Sequence, residues 1–287
     1  MGQITVAALQ LALNRADEAE NIAAVEDMVV RAADQGAQIV LPPELFDGPY
    51  FCKIEDEALF ARACPADEHS SVRAMARLAK RLGVAIPVSF FERDGQHYYN
   101  SLAMIAPDGD VQGIYRKSHI PDGPGYEEKF YFRPGNTGFK VWDVCGTRIG
   151  VGVCWDQWYP EAARAMALMG AQLLFYPTAI GSEPYDAEFD TSAMWQRAMQ
   201  GHAVSNCMPV IAANRIGIED GQSFYGHSFI TNEWGDKLVE FGPENDGHEE
   251  GVLVATLDLD LAAKHRAGMG FFRDRRPELY GRLCEDL

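Results

Sequence analysis

The chain has 287 residues, of which 47% are hydrophobic and 23% charged, the composition of a globular protein with a large core. Its 42 acidic and 25 basic residues give a formal net charge of −17. This charge repels nucleic-acid phosphates, so it argues against a nucleic-acid partner. It attracts cations, including amine substrates, although surface acid also simply keeps a protein soluble.

The N-terminal part predicts a strand, a helix and a second strand. Residues 6–11 form the strand, and the first residues lack the basic start and the cleavage site of an export signal. Residues 18–33 have apolar side chains at helical spacing, and residues 38–41 read as a short buried strand. Two prolines end that strand and place Glu44 just beyond it, where its carboxylate can face an active site. With no apolar run of about 18 residues, no membrane span is predicted, and we expect a cytoplasmic protein.

The rest of the chain mixes consecutive strands with strand-helix-strand units. Helices are predicted at 70–82, 160–169 and 188–204, and strands at 84–91, 98–105, 139–144, 148–153, 172–176, 209–214, 226–232 and 252–257. Such a mixture suggests two sheets, each packing one face on the other sheet and one face on helices. The sequence therefore predicts an α/β fold, a four-layer α-β-β-α sandwich, in a single domain over residues 1–287.

Six dispersed cysteines form no C-x-x-C pair, which argues against a disulfide framework and a zinc ribbon. One of them, Cys154, follows the apolar segment 149–153 and precedes Pro160, a residue favoured in the first turn of a helix. Backbone N–H groups at such a turn can lower a thiol pKa and bind an oxyanion, and the N–H of Trp155 is the natural candidate. By itself, a cysteine after an apolar strand is more often a buried core residue.

The segment Gly-Val-Cys-Trp-Asp-Gln-Trp-Tyr-Pro-Glu at 152–161 resembles the nucleophile segment of the nitrilase superfamily of carbon-nitrogen hydrolases. Leu-Pro-Pro-Glu-Leu-Phe at 41–46 and Tyr-Arg-Lys-Ser-His-Ile-Pro at 115–121 resemble the segments around its catalytic glutamate and lysine. The resemblance extends to residues 271–277 and implies the same four-layer sandwich. It also implies a homo-oligomer, with residues 271–287 a possible C-terminal arm on a partner subunit.

The resemblance implies a catalytic role for each motif residue. Cys154 would be the nucleophile, Glu44 the base that takes its proton, and Lys117 the cation that stabilises the tetrahedral oxyanion. Glu128 is the second acid that would keep the lysine charged, with its neighbour Glu127 as the competing choice. This chemistry requires no cofactor and no metal, and no metal-binding or phosphate-binding motif appears.

Three further stretches, 118–126, 154–158 and 177–184, resemble those of superfamily members that hydrolyse the ureido group of a small cationic ureide. The ammonium group at the end of such a substrate calls for a carboxylate and aromatic walls in the binding pocket, and Glu183 and Tyr50 are the candidates. Trp155 is a third candidate substrate-binding residue, next to the reacting carbon. A solvated loop carboxylate is the alternative for Glu183. Another ureide or amide hydrolase of the superfamily would share the catalytic residues and is the alternative function. Related sequences more often have an aromatic residue at the position of Pro49, so the sequence does not determine the width of the pocket near Tyr50.

Two other functional classes have less support from the sequence. Any of the seven histidines could be the catalytic histidine of a cysteine-histidine protease, yet no sequence motif typical of such a protease is present. A binding or scaffold module would need a broken set of catalytic residues, and the set is intact. The sequence therefore favours a hydrolase.

Overall fold

The computed structural model describes residues 2–186, 188–242 and 247–285. The strands are β1 Gln3–Gln10, β2 Ile39–Leu41, β3 Ile86–Asp94, β4 His97–Ile105, β5 Val111–Arg116, β6 Val141–Val144, β7 Thr147–Val151, β8 Leu173–Thr178, β9 Val210–Asn214, β10 Ile216–Glu219, β11 Gln222–Tyr225, β12 Phe229–Thr231, β13 Lys237–Glu240 and β14 Gly251–Asp258. The helices are α1 Glu18–Asp34, α2 Ser70–Leu82, α3 Glu128–Tyr131, α4 Pro160–Leu168, α5 Ser192–Asn206 and α6 Leu259–Met269. Within the described ranges, no helix has both the length and the apolar character needed to cross a membrane.

The first sheet has two three-stranded parts, β14-β1-β2 and β3-β4-β5. A parallel bridge between Ile39 and Ala85 joins them at the start of β3. The Val40 N–H donates to the Ala85 carbonyl at 3.0 Å, and the Ala85 N–H donates to the Gln38 carbonyl at 2.8 Å. The two parts therefore run together as one surface of six strands.

The second sheet has the order β13-β12-β9-β8-β7-β6. Its strands β7, β8 and β9 are parallel, and α4 and α5 lie in the connections between them. Parallel strands place their carboxyl ends at one edge of a sheet. The segments after β7 and β8 therefore emerge side by side.

The two sheets pack face to face and each carries helices on its outer face. Along β1, Ile4, Val6 and Ala8 belong to the core between the sheets, while Ala7 and Leu9 belong to the core under α1 and α2. This alternation is the period of two of a strand that is buried on both faces. A third core lies between the second sheet and α4 with α5. The predicted α-β-β-α sandwich is confirmed.

Several elements were not predicted, namely β5, the short helix α3, the β10-β11 hairpin, β13 and α6. The elements β5, β13 and α6 bury few side chains; α6, for example, buries only Leu259 and Ala262, so their apolar pattern is faint. The helix predicted at 188–204 begins later, at Ser192. The Asp190 carboxylate accepts a hydrogen bond from the Ser192 N–H at 2.8 Å and thereby holds the start of α5.

The C-terminal segment leaves α6 at Gly270, whose φ of +71° is a left-handed conformation suited to glycine. The Phe272 ring packs beneath the guanidinium groups of Arg164 and Arg266, which lie 4.8 and 5.4 Å from its centroid. Further on, Leu279 and Leu283 are each 65% exposed. The arm over 271–287 stays a prediction, and residues 286 and 287 lie outside the described residues.

Candidate active site

The three motif residues follow strand ends that meet between the two sheets. Glu44 comes shortly after β2, Lys117 directly follows β5, and Cys154 comes shortly after β7. The Glu44 N–H donates to the Thr178 carbonyl at the end of β8, at 3.3 Å. The backbone at Glu44 is therefore tied across the interface between the sheets.

Lys117 is fully buried between two carboxylates. Its ammonium Nζ donates to Glu44 Oε1 at 2.9 Å and to Glu128 Oε1 and Oε2 at 2.9 and 2.7 Å. Burial alone would lower the pKa of Lys117, but Glu128 and Glu44 outweigh that effect and hold the pKa well above its ordinary value. The lysine therefore carries its charge. Glu128 is the acid beside it, whereas the side chain of Glu127 is partly exposed.

The two oxygens of Glu44 have different surroundings. Oε1 accepts from Lys117 Nζ at 2.9 Å and from Asn100 Nδ2 at 2.7 Å. Oε2 is buried and has no hydrogen-bond partner among the described residues. Most buried carboxylate oxygens accept a hydrogen bond from the protein, and Oε2 is an exception. Because no donor occupies it, Oε2 is free to accept a proton from a neighbouring group.

Cys154 lies at the start of a 3-10 turn, Cys154–Trp158, that leads into α4. Its φ of +44° is left-handed, an uncommon conformation for a residue other than glycine, and its side chain is 4% exposed. Burial raises the pKa of the Cys154 thiol, and Glu44 raises it further, while Lys117 acts in the opposite direction. The resting thiol is therefore protonated and needs a base to become a nucleophile.

Asp156, two residues beyond Cys154, had no role in the sequence interpretation. It is fully buried, and Oδ2 accepts from the Val153 N–H at 2.9 Å and from the Tyr115 hydroxyl at 2.7 Å. Its Oδ1 accepts from the His119 N–H at 3.0 Å. Asp156 thus joins the turn at the cysteine to Tyr115 and His119, which flank Lys117 and are 41 and 37 residues away in sequence.

Arg215 is a second buried residue that sequence reasoning missed. Its guanidinium donates to the carbonyl groups of Glu44, Leu45 and Gly48 at 2.8, 2.9 and 3.1 Å. It also pairs with Glu219 at 3.0 Å. The loop that carries Glu44 is therefore held by the charged side chain of Arg215, the residue between β9 and β10. No local sequence pattern reveals this contact.

Tyr50, which the sequence suggested as a wall of the substrate pocket, lies beside Glu128, and its role in substrate binding stays a prediction. Tyr50 does not line the cavity at Cys154, and its hydroxyl donates to Glu128 Oε1 at 2.6 Å. The Tyr50 N–H donates to Glu219 Oε2 at 2.6 Å, and the side chain is fully buried. Tyr50 therefore stabilises the Glu128 carboxylate by a hydrogen bond.

A cavity of about 320 Å³ opens at Cys154. Its walls come from the segments after β5, β7 and β8 and from the start of α5, and they are mainly apolar and aromatic. The lining residues are Pro121, Asp122, Gly123, Pro124, Tyr126, Cys154, Trp155, Trp158, Ala179, Ile180, Glu183, Tyr185, Phe189, Thr191 and Met194. The volume suits a small organic molecule.

Two of the predicted substrate-binding residues, Trp155 and Glu183, line this cavity. Burial raises the pKa of Glu183, while a hydrogen bond from Tyr185 lowers it. Asp122 adds a second carboxylate, and no lysine or arginine occurs among the described lining residues. The cavity therefore offers negative charge and aromatic faces to a ligand, which suits a cation.

Comparison with known proteins is consistent with this architecture. The carbon-nitrogen hydrolase family model matches residues 5–267. The chain is 53% identical over 285 residues to an N-carbamoylputrescine amidase from Solanum tuberosum, covering 96% of this chain and 93% of the relative. It is 50% identical over 287 residues to a citrullinase from Francisella tularensis, covering 99% of both. A crystal structure of a carbon-nitrogen hydrolase from Helicobacter pylori G27 matches with a TM-score of 0.91 and 34% identity over 99% of both chains.

The chain therefore belongs to the carbon-nitrogen hydrolase family, and the resemblance to the nitrilase superfamily is confirmed. It is a carbon-nitrogen hydrolase with the fold of that family. Family membership defines the reaction class, whereas the substrate depends on the cavity.

Proposed function

We propose that this enzyme hydrolyses the ureido group of N-carbamoylputrescine to putrescine, ammonia and carbon dioxide. One observation carries the proposal: the cavity has Cys154 at its floor, and its wall bears Glu183 but no lysine or arginine among the described residues. The identity of 53% to an N-carbamoylputrescine amidase supports the same substrate. Putrescine formation from this ureide would place the enzyme in polyamine biosynthesis.

The substrate matches the cavity in charge and in shape. Its ammonium end carries a positive charge that Glu183 attracts, and its four-carbon chain suits aromatic walls such as Trp158 and Tyr126. A ureide that ends in a carboxylate would bring negative charge next to Glu183 and Asp122. That arrangement costs free energy because no lining cation compensates it among the described residues.

The first chemical step in the proposal is attack by Cys154. Its thiol proton passes to Glu44 Oε2, and Sγ forms a bond to the ureido carbon. The oxygen of the tetrahedral intermediate becomes negative and is stabilised by the Lys117 ammonium and the Trp155 N–H. Glu44 then returns its proton to one ureido nitrogen, the carbon-nitrogen bond breaks, and a carbamoyl thioester remains on Cys154.

Hydrolysis of the thioester completes the cycle. Water donates a proton to Glu44 and attacks the thioester carbon, and the Cys154 sulfur leaves and recovers its proton. The carbamic acid that is released decomposes to carbon dioxide and whichever of putrescine and ammonia did not leave in the first step. Glu128 and Glu44 together raise the pKa of Lys117 in the resting enzyme. While Glu44 holds a proton and is neutral, Glu128 is the carboxylate that keeps Lys117 charged.

A substrate panel tests the proposal. Values of kcat/KM are measured for N-carbamoylputrescine, for citrulline, which has both an ammonium and a carboxylate, and for N-carbamoyl-β-alanine, which ends in a carboxylate. The proposal expects N-carbamoylputrescine to be preferred by about 100-fold or more over the carboxylate-ended ureide, the equivalent of roughly 3 kcal/mol. A preference for citrulline or for the carboxylate-ended ureide would overturn it.

We also propose that the enzyme is a homo-oligomer in which residues 271–287 form an arm on a partner subunit. The exposed apolar side chains of Leu279 and Leu283 support this assignment, because isolated apolar groups of that size gain free energy from burial. Light scattering on the full chain and on a chain that ends at residue 270 measures the subunit number. An unchanged oligomer in the shortened chain would overturn the role of the arm.

A further inference from the structure

We infer that Asn100 is a positioning residue that decides which oxygen of Glu44 accepts the proton of Cys154. The inference rests on the proposed function, in which Glu44 is the base and Cys154 the nucleophile. Asn100 lies on β4, is fully buried, and does not line the cavity at Cys154. It therefore acts through Glu44 rather than on the substrate.

The hydrogen bonds of Glu44 are concentrated on one oxygen. Asn100 Nδ2 and Lys117 Nζ both donate to Oε1, at 2.7 and 2.9 Å, and Oε2 is left without a partner among the described residues. The terminal torsion of a glutamate is soft and roughly two-fold, so the side chain alone does not select an oxygen. Two donors that converge on Oε1 hold the carboxylate so that Oε2 stays open for a proton.

Lys117 by itself does not provide this selection. Its Nζ makes two hydrogen bonds to Glu128, at 2.9 and 2.7 Å, and only one to Glu44. An ammonium has three donors on a compact centre and can follow either oxygen of a rotating carboxylate. The amide of Asn100 is planar and fixed in direction, so it supplies the missing constraint.

The orientation of the Asn100 amide is itself determined by its neighbours. Ser89 Oγ donates to Asn100 Oδ1 at 3.4 Å, and the Leu45 N–H donates to Ser89 Oγ at 3.2 Å. The amide oxygen therefore faces Ser89, and the amide nitrogen faces Glu44. The Asn100 carbonyl also accepts from the Lys117 N–H at 2.9 Å, so one residue of β4 places both the base and the lysine.

The test is the alkylation rate of Cys154 by iodoacetamide, followed by mass spectrometry of the peptide that contains it. Peptide resolution is needed because Cys284 is exposed and also reacts. Asn100→Leu removes the amide and keeps a side chain of similar size. We expect it to slow the alkylation of Cys154 and to lower kcat by about 10- to 100-fold. This loss is no larger than the contribution of about 10²- to 10⁴-fold that a general base makes, because the variant misplaces the base without removing it. KM should change by less than about 2-fold, because the cavity walls are untouched.

The matched control is Asn21→Leu, a change at another fully buried asparagine, whose Nδ2 donates to the Asp17 carbonyl at the start of α1. This variant should lose stability yet leave the alkylation rate of Cys154 unchanged. An equal slowing in both variants, or an unchanged rate in Asn100→Leu, would overturn the inference.

A further variant keeps the test informative if Asn100→Leu shows no cooperative thermal unfolding. Asn100→Asp preserves the shape of the side chain but replaces the donor with a carboxylate, and it should slow alkylation at least as strongly as the loss of the donor alone. Alkylation at the rate of the unsubstituted protein would overturn the inference. If Cys154 of the unsubstituted protein reacts no faster than the buried Cys207, the proposed nucleophile itself is wrong, which is a different outcome from a failure confined to Asn100.

Discussion

The floor and the mouth of the cavity differ in how their side chains are held. At the floor, Cys154 interacts electrostatically with Glu44, Lys117 and Glu128. These three residues do not line the cavity themselves; they are fully buried and joined by hydrogen bonds of 2.7 to 2.9 Å. At the mouth, Tyr185 and Phe189 are 66% and 46% exposed, and neither residue belongs to a regular strand or helix. The floor is therefore positioned by the sheets, and the mouth by a loop.

This difference suggests how one fold serves several substrates. A reaction that needs a base, a cation and a nucleophile within contact distance depends on rigid neighbours, which strand ends provide. Recognition of the far end of a substrate needs only a charge at a suitable place, and loops change more readily than strand ends. Variants at the floor should therefore lower kcat, and variants at the mouth should raise KM.

The largest effect is expected from Cys154→Ala. Without the thiol no thioester forms, so kcat should fall by at least about 10⁴-fold. The side chain is small, so the free energy of unfolding should change by about 1 kcal/mol or less. Turnover assays and thermal unfolding measure the two quantities. Cys207→Ala is the control and should retain activity; substantial turnover in Cys154→Ala would contradict the mechanism.

Glu128→Gln should lower kcat by about 100-fold, because the oxyanion depends on a charged Lys117. Glu128 is one of the two carboxylates that hold the Lys117 pKa above its ordinary value, so its loss lowers that pKa. The alkaline limb of the pH profile of kcat should consequently move to lower pH.

The neighbouring change Glu127→Gln is the control for this prediction and should alter kcat by less than about 2-fold, since the Glu127 side chain is partly exposed. Equal losses in the two variants would contradict the assignment of Glu128 as the second acid.

Glu183→Gln should act at the mouth. The KM for N-carbamoylputrescine should rise by about 10- to 100-fold, which corresponds to roughly 1.5 to 3 kcal/mol for a hydrogen bond to a charged group. The KM for N-butylurea, which lacks the ammonium, should stay within about 2-fold. Glu188→Gln, at an exposed position that does not line the cavity, is the control. Equal effects on both substrates would remove Glu183 from the recognition of the ammonium.

The smallest effect is expected from Tyr50→Phe. The change removes the hydroxyl that donates to Glu128 and keeps the ring packed against Tyr126 and Phe224. We expect kcat to fall by about 3- to 10-fold with an unchanged KM, in line with the net worth of one hydrogen bond. Tyr131→Phe, which removes a hydroxyl bonded to the Ile54 carbonyl, is the control. A rise in KM without a change in kcat would restore Tyr50 as a substrate contact.

Much of the fold could be predicted because strongly periodic segments also pack in the structure as their pattern requires. The helix predicted at 70–82 is α2 with the same bounds, and its apolar side chains face the first sheet. The hairpin β10-β11 was not predicted, because its short strands are stabilised by contacts with distant segments rather than by their own pattern.

The sequence by itself indicated the family and singled out Glu44, Lys117 and Cys154, since the motifs that contain them are local features. It also placed Glu44 and Cys154 after predicted strands, whereas β5, which Lys117 follows, was not predicted. Only the tertiary structure showed that Glu128, which the resemblance favours over Glu127, binds Lys117, that the Tyr50 hydroxyl donates to Glu128, and that Asn100 donates to Glu44. These relations depend on side chains that are far apart along the chain and meet across two sheets. Local patterns carry no information about such contacts, because burial and hydrogen-bond direction follow from how the sheets pack.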